Sequence, residues 1–444
     1  MAEYDYDVVY LGTGHGTFDG VIPLAKRGKR IAVIEDGIIG GTCSNYGCNP
    51  KITLDAPVAM LRSLENMRDV LPVKDAHIDW AANQKHKQAV IGGIPDLKVS
   101  RMEAVGIEII NGYGILQDRH TVKAGDRQLS TDKIVVATGL RSHHLPIEGT
   151  ELFHVSKDFL ALEEMPASVV VIGAGYIGME FATQANAAGA KVTVIMHGDQ
   201  ALKGFKQDYV EQIIADLTKR GVTFLRNVSL KKAEQVDNQV VVTDGADVTV
   251  AADWVLDATG RIPNVERFGL DEVGVAYNKN GIVVNDHLQT TVDNIYAAGD
   301  VIDKTQPKLT PTAIFESKYL MHLFAGDTTA PIDYPVIPSV VFTSPRIAKV
   351  GLQADQITTL DKYQIETHDV LKNWYRNVMN EQFGENELIF DEQHHLVGAT
   401  EMSDYAEQVI GTLLPAVELG LDAEQVERMI HIFPSLESIT WEQI

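Results

Sequence analysis

Cys43 and Cys48 lie in the stretch GGTCSNYGCNPK, residues 40–51, and are the chain's two cysteines. Four intervening residues allow both thiols to share one helical face and to close a small disulfide. A thiolate near a helix N-terminus is stabilised, which lowers its pKa and readies it for exchange. A structural disulfide framework would use more cysteines and close longer loops. Zinc would need two further ligands at suitable spacing, and the neighbourhood offers none, so no metal site is expected. Gly40, Gly41 and Thr42, immediately before Cys43, suggest close backbone approach to a phosphate or a flavin. The expected chemistry is redox exchange at a dithiol.

Two Gly-rich turns must position that dithiol. The run DVVYLGT from Asp7 enters the first, Gly12-Thr13-Gly14-His15-Gly16, and RIAVIED at 30–36 follows as a second strand. Glycines there let the backbone approach a pyrophosphate seated on a helix N-terminus. Thr17 stands where a third glycine would fall, and Glu35 stands where an acid accepts a ribose hydroxyl. SVVVIGAG at 168–175 opens the second turn, a full G-x-G-x-x-G made by Gly173, Gly175 and Gly178 with Tyr176 and Ile177 between. Its second strand, KVTVIMH at 191–197, ends on Met196 and His197 with no acid at the strand end. Lys203 lies a little beyond, so NADPH is favoured over NADH, although Asp199 is close by. His197 reads equally as a phosphate ligand or a solvated loop residue. The runs KIVVATG and DWVLDATG, ending at Gly139 and Gly260, repeat the duplication. Asp300 closes the strand in TTVDNIYAAGDV and reads either as a helix N-cap or as a ligand for a ribityl hydroxyl.

The 444 residues suggest about three domains. A formal net charge of −23 argues against nucleic acid, because phosphate binding needs a basic surface. No apolar run is long enough to cross a bilayer, and the acidic N-terminus is unlike a secretory signal, so no membrane partner and a cytoplasmic location are expected. After residue 330 the texture turns to Pro-punctuated strands, with LLPAVELG and AEQVERMIHIF reading as helices.

These motifs, in this order, resemble the pyridine nucleotide–disulfide oxidoreductases, the family of glutathione reductase, dihydrolipoyl dehydrogenase and mercuric reductase. The resemblance runs essentially end to end and includes GGTC-x4-C, GAGYIGME, YAAGD, LTPTAIFES and VVFTSP. It implies an α/β fold with two Rossmann-like nucleotide-binding domains and an α+β C-terminal dimerisation domain. Residues 1–145 and 266–330 would bind FAD, 146–265 NAD(P), and 331–444 would pair two subunits into a homodimer. Cys48 would be the thiolate beside the flavin and Cys43 the interchange thiol. Lys51 and Glu180 would form an ion pair near the flavin, and Tyr176 would be its aromatic lid. Gly12, Gly14, Gly16, Glu35, Gly41, Thr42, Ala137, Thr138, Gly139, Asp300, Thr310 and Ala313 would contact FAD. His197 and Lys203 would hold the 2′-phosphate of NADPH, with Gly260 on the nicotinamide nucleotide side.

The chain departs from the family at its C-terminus. Where the disulfide reductases carry His-Pro-Thr-x-x-Glu, this chain reads Phe433-Pro434-Ser435-Leu436-Glu437-Ser438. His431 is near in sequence but out of register; in an extended segment it would point to the same side as residue 433, and it could serve as the replacement acid only if the loop shifts by several ångströms. The leading expectation is a glutathione-reductase-like enzyme passing electrons from NADPH (or NADH) through FAD and Cys43–Cys48 to a small-molecule disulfide or other electron acceptor. The alternatives are a metal-ion or quinone reductase, a dihydrolipoyl dehydrogenase, and a flavin-binding sensor without turnover.

Overall fold

Tyr6–Leu11 forms β1, and its residues Val8–Leu11 are fully buried, as a parallel strand covered on both faces requires. It feeds α1 (His15–Ala25) and then β2 (Ile31–Glu35), which pairs with β1 in parallel. The redox stretch supplies α2 (Gly41–Tyr46) and the start of α3 (Cys48–Asn66). α4 (Trp80–Ile91) and α5 (Ile94–Glu103) lead into β3 (Glu108–Asn111), β4 (Gly114–Asp118), β5 (Thr121–Ala124) and β6 (Arg127–Val136). The computed structural model describes residues 4–359 and 362–444, which fall into two units.

The first unit contains the chain up to Thr53, Lys85–His143 and Arg261–Tyr334. Its sheet has the order β3-β2-β1-β6-β5-β4, and the strand Ile295–Ala297 pairs in parallel with β6. β1 has parallel neighbours on both sides, so the connections diverge there and open a crevice at the strands' C-terminal ends. Three backbone bonds draw those ends together. Gly12 N–H donates to Ile34 O at 2.8 Å, Ala137 N–H to Leu11 O at 2.9 Å, and Ala298 N–H to Val136 O at 3.1 Å.

α1 packs against the long helix Thr310–Ala325 at van der Waals limits. Gly20 N–H donates to Ser317 Oγ at 2.9 Å, and the same hydroxyl donates to Thr17 O at 3.0 Å. A Cβ on Gly20 would sit 2.2 Å from Ser317 O. This explains Thr17 in the fingerprint. Gly16 makes the close approach to a strand end, where a Cβ would lie 3.2 Å from Ala298 O, and Gly20 makes the helix–helix one.

The second unit contains Leu54–Gln84, His144–Gly260 and Pro335–Ile444. Its four-stranded parallel sheet runs Thr223–Leu225, Lys191–Ile195, Ser168–Ile172, Trp254–Asp257, with an antiparallel three-stranded sheet beside it in sequence. The C-terminal part is a five-stranded antiparallel sheet covered by the helices Ala406–Leu419 and Leu436–Trp441. The expected α/β class, with two nucleotide-type sheets and an α+β C-terminal part, is therefore present. One helix is shorter than expected: of AEQVERMIHIF, Ala423–Glu427 alone is α-helical. Met429, Ile430, Ile432 and Phe433 beyond it are exposed rather than packed on one face, so they supply no amphipathic stripe to continue the helix.

Gly20→Ala should force α1 and the helix Thr310–Ala325 apart. Overpacking of this kind costs about 1–3 kcal/mol, and it would be read as a lower Tm together with faster flavin loss on dilution. Retention of both wild-type values would show that the contact does not hold the crevice in shape.

Candidate active site

Three loops at the crevice of the first unit meet backbone to backbone. Gly12 has φ +100°, and a Cβ there would lie 2.4 Å from Ala137 O. Gly41 has φ +66°, and its Cβ would lie 2.7 Å from the Cα of Gly14. Side chains are therefore excluded where the first Gly-rich turn meets the redox stretch. Glu35 fastens the arrangement: its Oε2 accepts from Thr13 N–H at 3.0 Å and from Thr13 Oγ1 at 2.6 Å, and its Oε1 accepts from Gly37 N–H at 3.1 Å. Thr13 Oγ1 in turn accepts from Gly40 N–H at 2.9 Å.

The loops enclose a cleft of about 830 Å³. Gly12, Gly14, Gly16, Glu35, Gly41, Thr42, Cys43, Cys48, Ala137, Thr138, Gly139, Asp300, Thr310 and Ala313 all line it. Its volume and its cradle of glycines at the start of α1 suit a dinucleotide whose pyrophosphate rests on the helix N-terminus. Asp300 lies in a 3₁₀ turn, Gly299–Val301, that is pinned from beneath. Glu316, fully buried on the helix Thr310–Ala325, accepts from Gly299 N–H at 2.6 Å, Lys304 Nζ at 2.6 Å and Tyr334 Oη at 2.8 Å.

The two cysteines are free thiols in unlike surroundings. Cys48 begins the 19-residue α3 and faces the first turn of the helix Thr310–Ala325, with its Sγ 3.3 Å from Thr310 Oγ1. Two helix N-termini thus favour negative charge on this sulfur. Its pKa is lowered to about 6, first by the hydrogen bond from Cys43, then by Thr310 and the charge of Lys51, against an opposing desolvation term. Cys43, half-buried and 3.9 Å from Asn49 Oδ1, is pushed up instead, by its hydrogen bond to Cys48 and by burial. The opposite shifts favour loss of the first proton from Cys48, with Cys43 keeping the second.

Three further polar side chains lie near this pair. His15 lines the cleft and its Nδ1 lies 2.6 Å from Asp19 Oδ2, an i,i+4 pair visible in HGTFD. Arg261 follows Gly260, donates to Leu140 O at 2.7 Å, and its charge acts on Asp300 and Cys48. Lys98 on α5 is buried near Cys43. The alternation in IPDLKVSRME carries no sign of it, because a lysine there reads as a solvated helix face.

In the second unit Gly173 has φ +102°, and a Cβ would meet Ala258 O at 2.6 Å; a Cβ on Gly178 would meet Gly173 O at 2.0 Å. Gly175 faces open space, and Ile177 is half-buried one residue into the helix Tyr176–Ala187. Tyr176 is exposed and packs edge-on to Phe205 at 5.5 Å. Glu180 in the same helix is buried and accepts from Phe342 N–H at 3.0 Å, while Lys51 lies on α3 in the first unit. Met196 is buried at the strand end, and His197 and Lys203 are exposed beyond it. His197 Nδ1 lies 3.2 Å from Ser229 Oγ. Arg226, which the spacing of motifs did not single out, is gripped in a bidentate pair by Glu211 at 2.9 and 2.6 Å and donates to Asp199 O at 2.9 Å. Gly260 is exposed at φ +148°.

His431 and Phe433 do not share one side. The His431 ring stacks on Trp441 at 5.1 Å, whereas Phe433 leans toward Trp374 at 6.2 Å. The segment is not a strand, so the alternation expected of an extended chain does not apply. His431 Nε2 is buried and has no hydrogen-bond partner among the described residues.

A dinucleotide cradle that opens onto a polarised dithiol defines a flavoprotein disulfide oxidoreductase. The chain belongs to the pyridine nucleotide-disulphide oxidoreductase family, whose model matches residues 6–317, and its dimerisation domain matches residues 337–443. It is an FAD-binding enzyme that takes electrons from NAD(P)H. A glutathione reductase from a Nostoc strain is 30% identical over 97% of this chain and 98% of its own length. A dihydrolipoyl dehydrogenase from Geobacillus stearothermophilus is 31% identical over 98% and 95%. The solved HOCl-induced flavoprotein disulfide reductase RclA from Escherichia coli superposes with a TM-score of 0.89 at 25% identity, over 98% of this chain and 99% of that one. No helix among the described residues is long and apolar enough to cross a membrane.

The Cys48–Thr310 contact has a measurable consequence. Ultraviolet titration of the reduced dithiol should show its first proton leaving well below the usual thiol range. A net hydrogen bond of about 1 kcal/mol corresponds to slightly less than one pKa unit, so Thr310→Val should move that midpoint upward by about that much. An unmoved midpoint would remove Thr310 from the set of groups that hold the charge on Cys48.

Proposed function

We propose that this enzyme reduces a low-molecular-weight disulfide at the expense of NADPH, through Cys43 and Cys48. The observation that carries the reading is the placement of both thiols on the wall of the cleft, with Cys48 Sγ 3.3 Å from Thr310 Oγ1 at a helix start. Bound FAD supplies two-electron transfer between a nicotinamide and the thiols. Gly12, Gly14 and Gly16 would hold its pyrophosphate, Glu35 its ribose and Asp300 its ribityl chain, with Gly41, Thr42, Ala137, Thr138, Gly139, Thr310 and Ala313 as further contacts.

The chain's own thiols then carry the exchange. Cys43 gives its proton to the hydrogen-bonded Cys48 thiolate and attacks one sulfur of the substrate. A Cys43–substrate disulfide forms, the substrate S–S bond breaks, and the first thiolate leaves with the electron pair. Cys48 next attacks Cys43 Sγ, its proton passes to solvent or product, and the second thiolate leaves. The Cys43–Cys48 disulfide and two product thiolates result; one takes the proton the pair carried, the other takes a proton from solvent, and the next two-electron reduction reopens the bond. Lys51 favours the Cys48 anion throughout.

For the nicotinamide cofactor we favour NADPH, with Gly173, Gly175, Ile177 and Gly178 forming the turn, Tyr176 as lid, and Glu180 supporting it from the helix. The support is the buried Met196 in place of a strand-end acid, with His197 and Lys203 exposed beyond it. We read the dimerisation domain as pairing two copies of this chain. Trp374, Ile430, Ile432 and Phe433 supply an exposed apolar strip for that contact.

One observation favours a second reading, reduction of a metal ion. Phe433 and Ser438 stand where the family's acid pair would be, and a metal ion needs electrons rather than a proton donor. RclA, similar over nearly its whole length, has also been solved as a Cu(II) complex. Among the described residues no three His, Cys, Asp or Glu side chains form a ready metal cluster, so the thiols themselves would be the contact.

NADPH oxidation with glutathione disulfide, a quinone and Cu(II) as acceptors decides between these readings. Turnover of the disulfide that is lost in Cys43→Ser supports the first; turnover of Cu(II) alone supports the second. Lys203→Ala should raise KM for NADPH several-fold and leave that for NADH unchanged. Equal changes in both would show that Lys203 does not read the 2′-phosphate.

A further inference from the structure

We propose that Lys98 is the cation within the same subunit that activates Cys43, supplying in this chain the electrostatic assistance that Phe433 and Ser438 cannot. The inference rests on the disulfide-reductase reading and deepens it by naming a positioning residue for the interchange thiol.

Lys98 lies on α5 between Leu97 and Val99 and is 7% exposed. Its aliphatic stem runs against Gly40, the residue that precedes α2; a Cβ there would be 3.1 Å from Lys98 Cδ. Cys43 is three residues further along the same short helix. The Lys98 ammonium sits 4.5 Å from the centroid of the Phe18 ring and has no hydrogen-bond partner among the described residues. A buried ammonium that is not hydrogen-bonded is expensive to maintain, and proteins usually pair it or place it on the surface. The groups whose negative charge would act on it are the Asp19 carboxylate and Cys43 when ionised. Asp19 is already engaged by His15 at 2.6 Å, which leaves the Cys43 sulfur as the group most able to use the remaining charge.

The chemistry fits the position. When Cys43 attacks a disulfide, negative charge spreads over three sulfurs in line. A buried ammonium close to the attacking sulfur stabilises that charge more than it would in water. The other charged and polar groups facing Cys43 act in known directions. The Cys48 thiolate on α3 opposes its ionisation, Thr310 from the helix Thr310–Ala325 assists it, and Lys98 assists it. Lys51 acts on Cys48, and Asp19 partly offsets Lys98. A lysine that merely packed its stem between α5 and Phe18 would not move the titration of a sulfur.

The test uses the flavin-loaded full-length protein in a Cys48→Ser background, where Cys43 is the single thiol. Its alkylation by iodoacetamide is followed against pH by mass spectrometry. Lys98→Met should raise the midpoint by about one unit, which is about a tenfold slower alkylation at neutral pH. Lys98→Arg should keep the midpoint near the parent's. With Cys48 intact, Lys98→Met should lower kcat for disulfide reduction about tenfold and leave KM nearly unchanged. An unmoved midpoint in Lys98→Met that retains its flavin and Tm would overturn the proposal. If that variant loses flavin, Lys98→Gln is read in the same way, and an unmoved midpoint there is equally decisive. A wild-type enzyme inert toward disulfides that still shows the shift would support the action of Lys98 on Cys43 and overturn the disulfide-reductase reading instead.

Discussion

The Cys48 thiol is lowered in pKa because Cys43 donates to it, and α3 and the helix Thr310–Ala325, which supplies Thr310, both begin beside its sulfur. Much of the first unit bears on keeping those helix ends together. The second helix is fixed at Ser317, which bonds to both Gly20 and Thr17 of α1. α1 is fixed in turn by Gly12 and Gly16, which touch the ends of β6 and of the strand Ile295–Ala297. The glycines at positions 12, 16, 20 and 41 are therefore as much a part of the redox centre as the sulfurs.

The parts of this centre that were legible from sequence are those with a local geometric signature. Gly12, Gly173 and Gly178 each require close backbone approach, and the strand–turn–helix pattern announces them in both units. Glu35 could be placed because a strand end is a fixed position. Lys98 could not be found in this way. Its importance comes from the pairing of β3 with β2 and the packing of α5, which bury a residue that helical periodicity would leave in solvent. Glu316 was hidden for a similar reason: its partners Gly299, Lys304 and Tyr334 are assembled by a turn and a loop far from it in spacing.

The C-terminal segment shows the opposite failure. AEQVERMIHIF carries strong helix formers, yet regular helix ends at Glu427. Residues 429–433 expose four large apolar side chains, and propensity within one chain does not account for that. A surface that is costly for an isolated subunit is what a dimerisation domain presents before it pairs. The orientation of His431 follows from the same irregularity, since Trp441 on the closing helix holds its ring.

The placement of one proton on two sulfurs also decides how the centre meets oxidants. Peroxides attack thiolates in preference to thiols. A peroxide that reaches the Cys48 thiolate transfers one oxygen atom to it, releases water or an alcohol, and leaves a sulfenic acid. Cys43, its hydrogen-bonded neighbour, still carries a proton and condenses with it, releasing water and closing the Cys43–Cys48 bond. In the cycle proposed above, that product is the oxidised dithiol, which the next reducing equivalent reopens. With two cysteines in the chain, Cys43–Cys48 is the intramolecular bond open to the sulfenic acid, so on that cycle an oxidised thiolate would return to a state that reduction recovers.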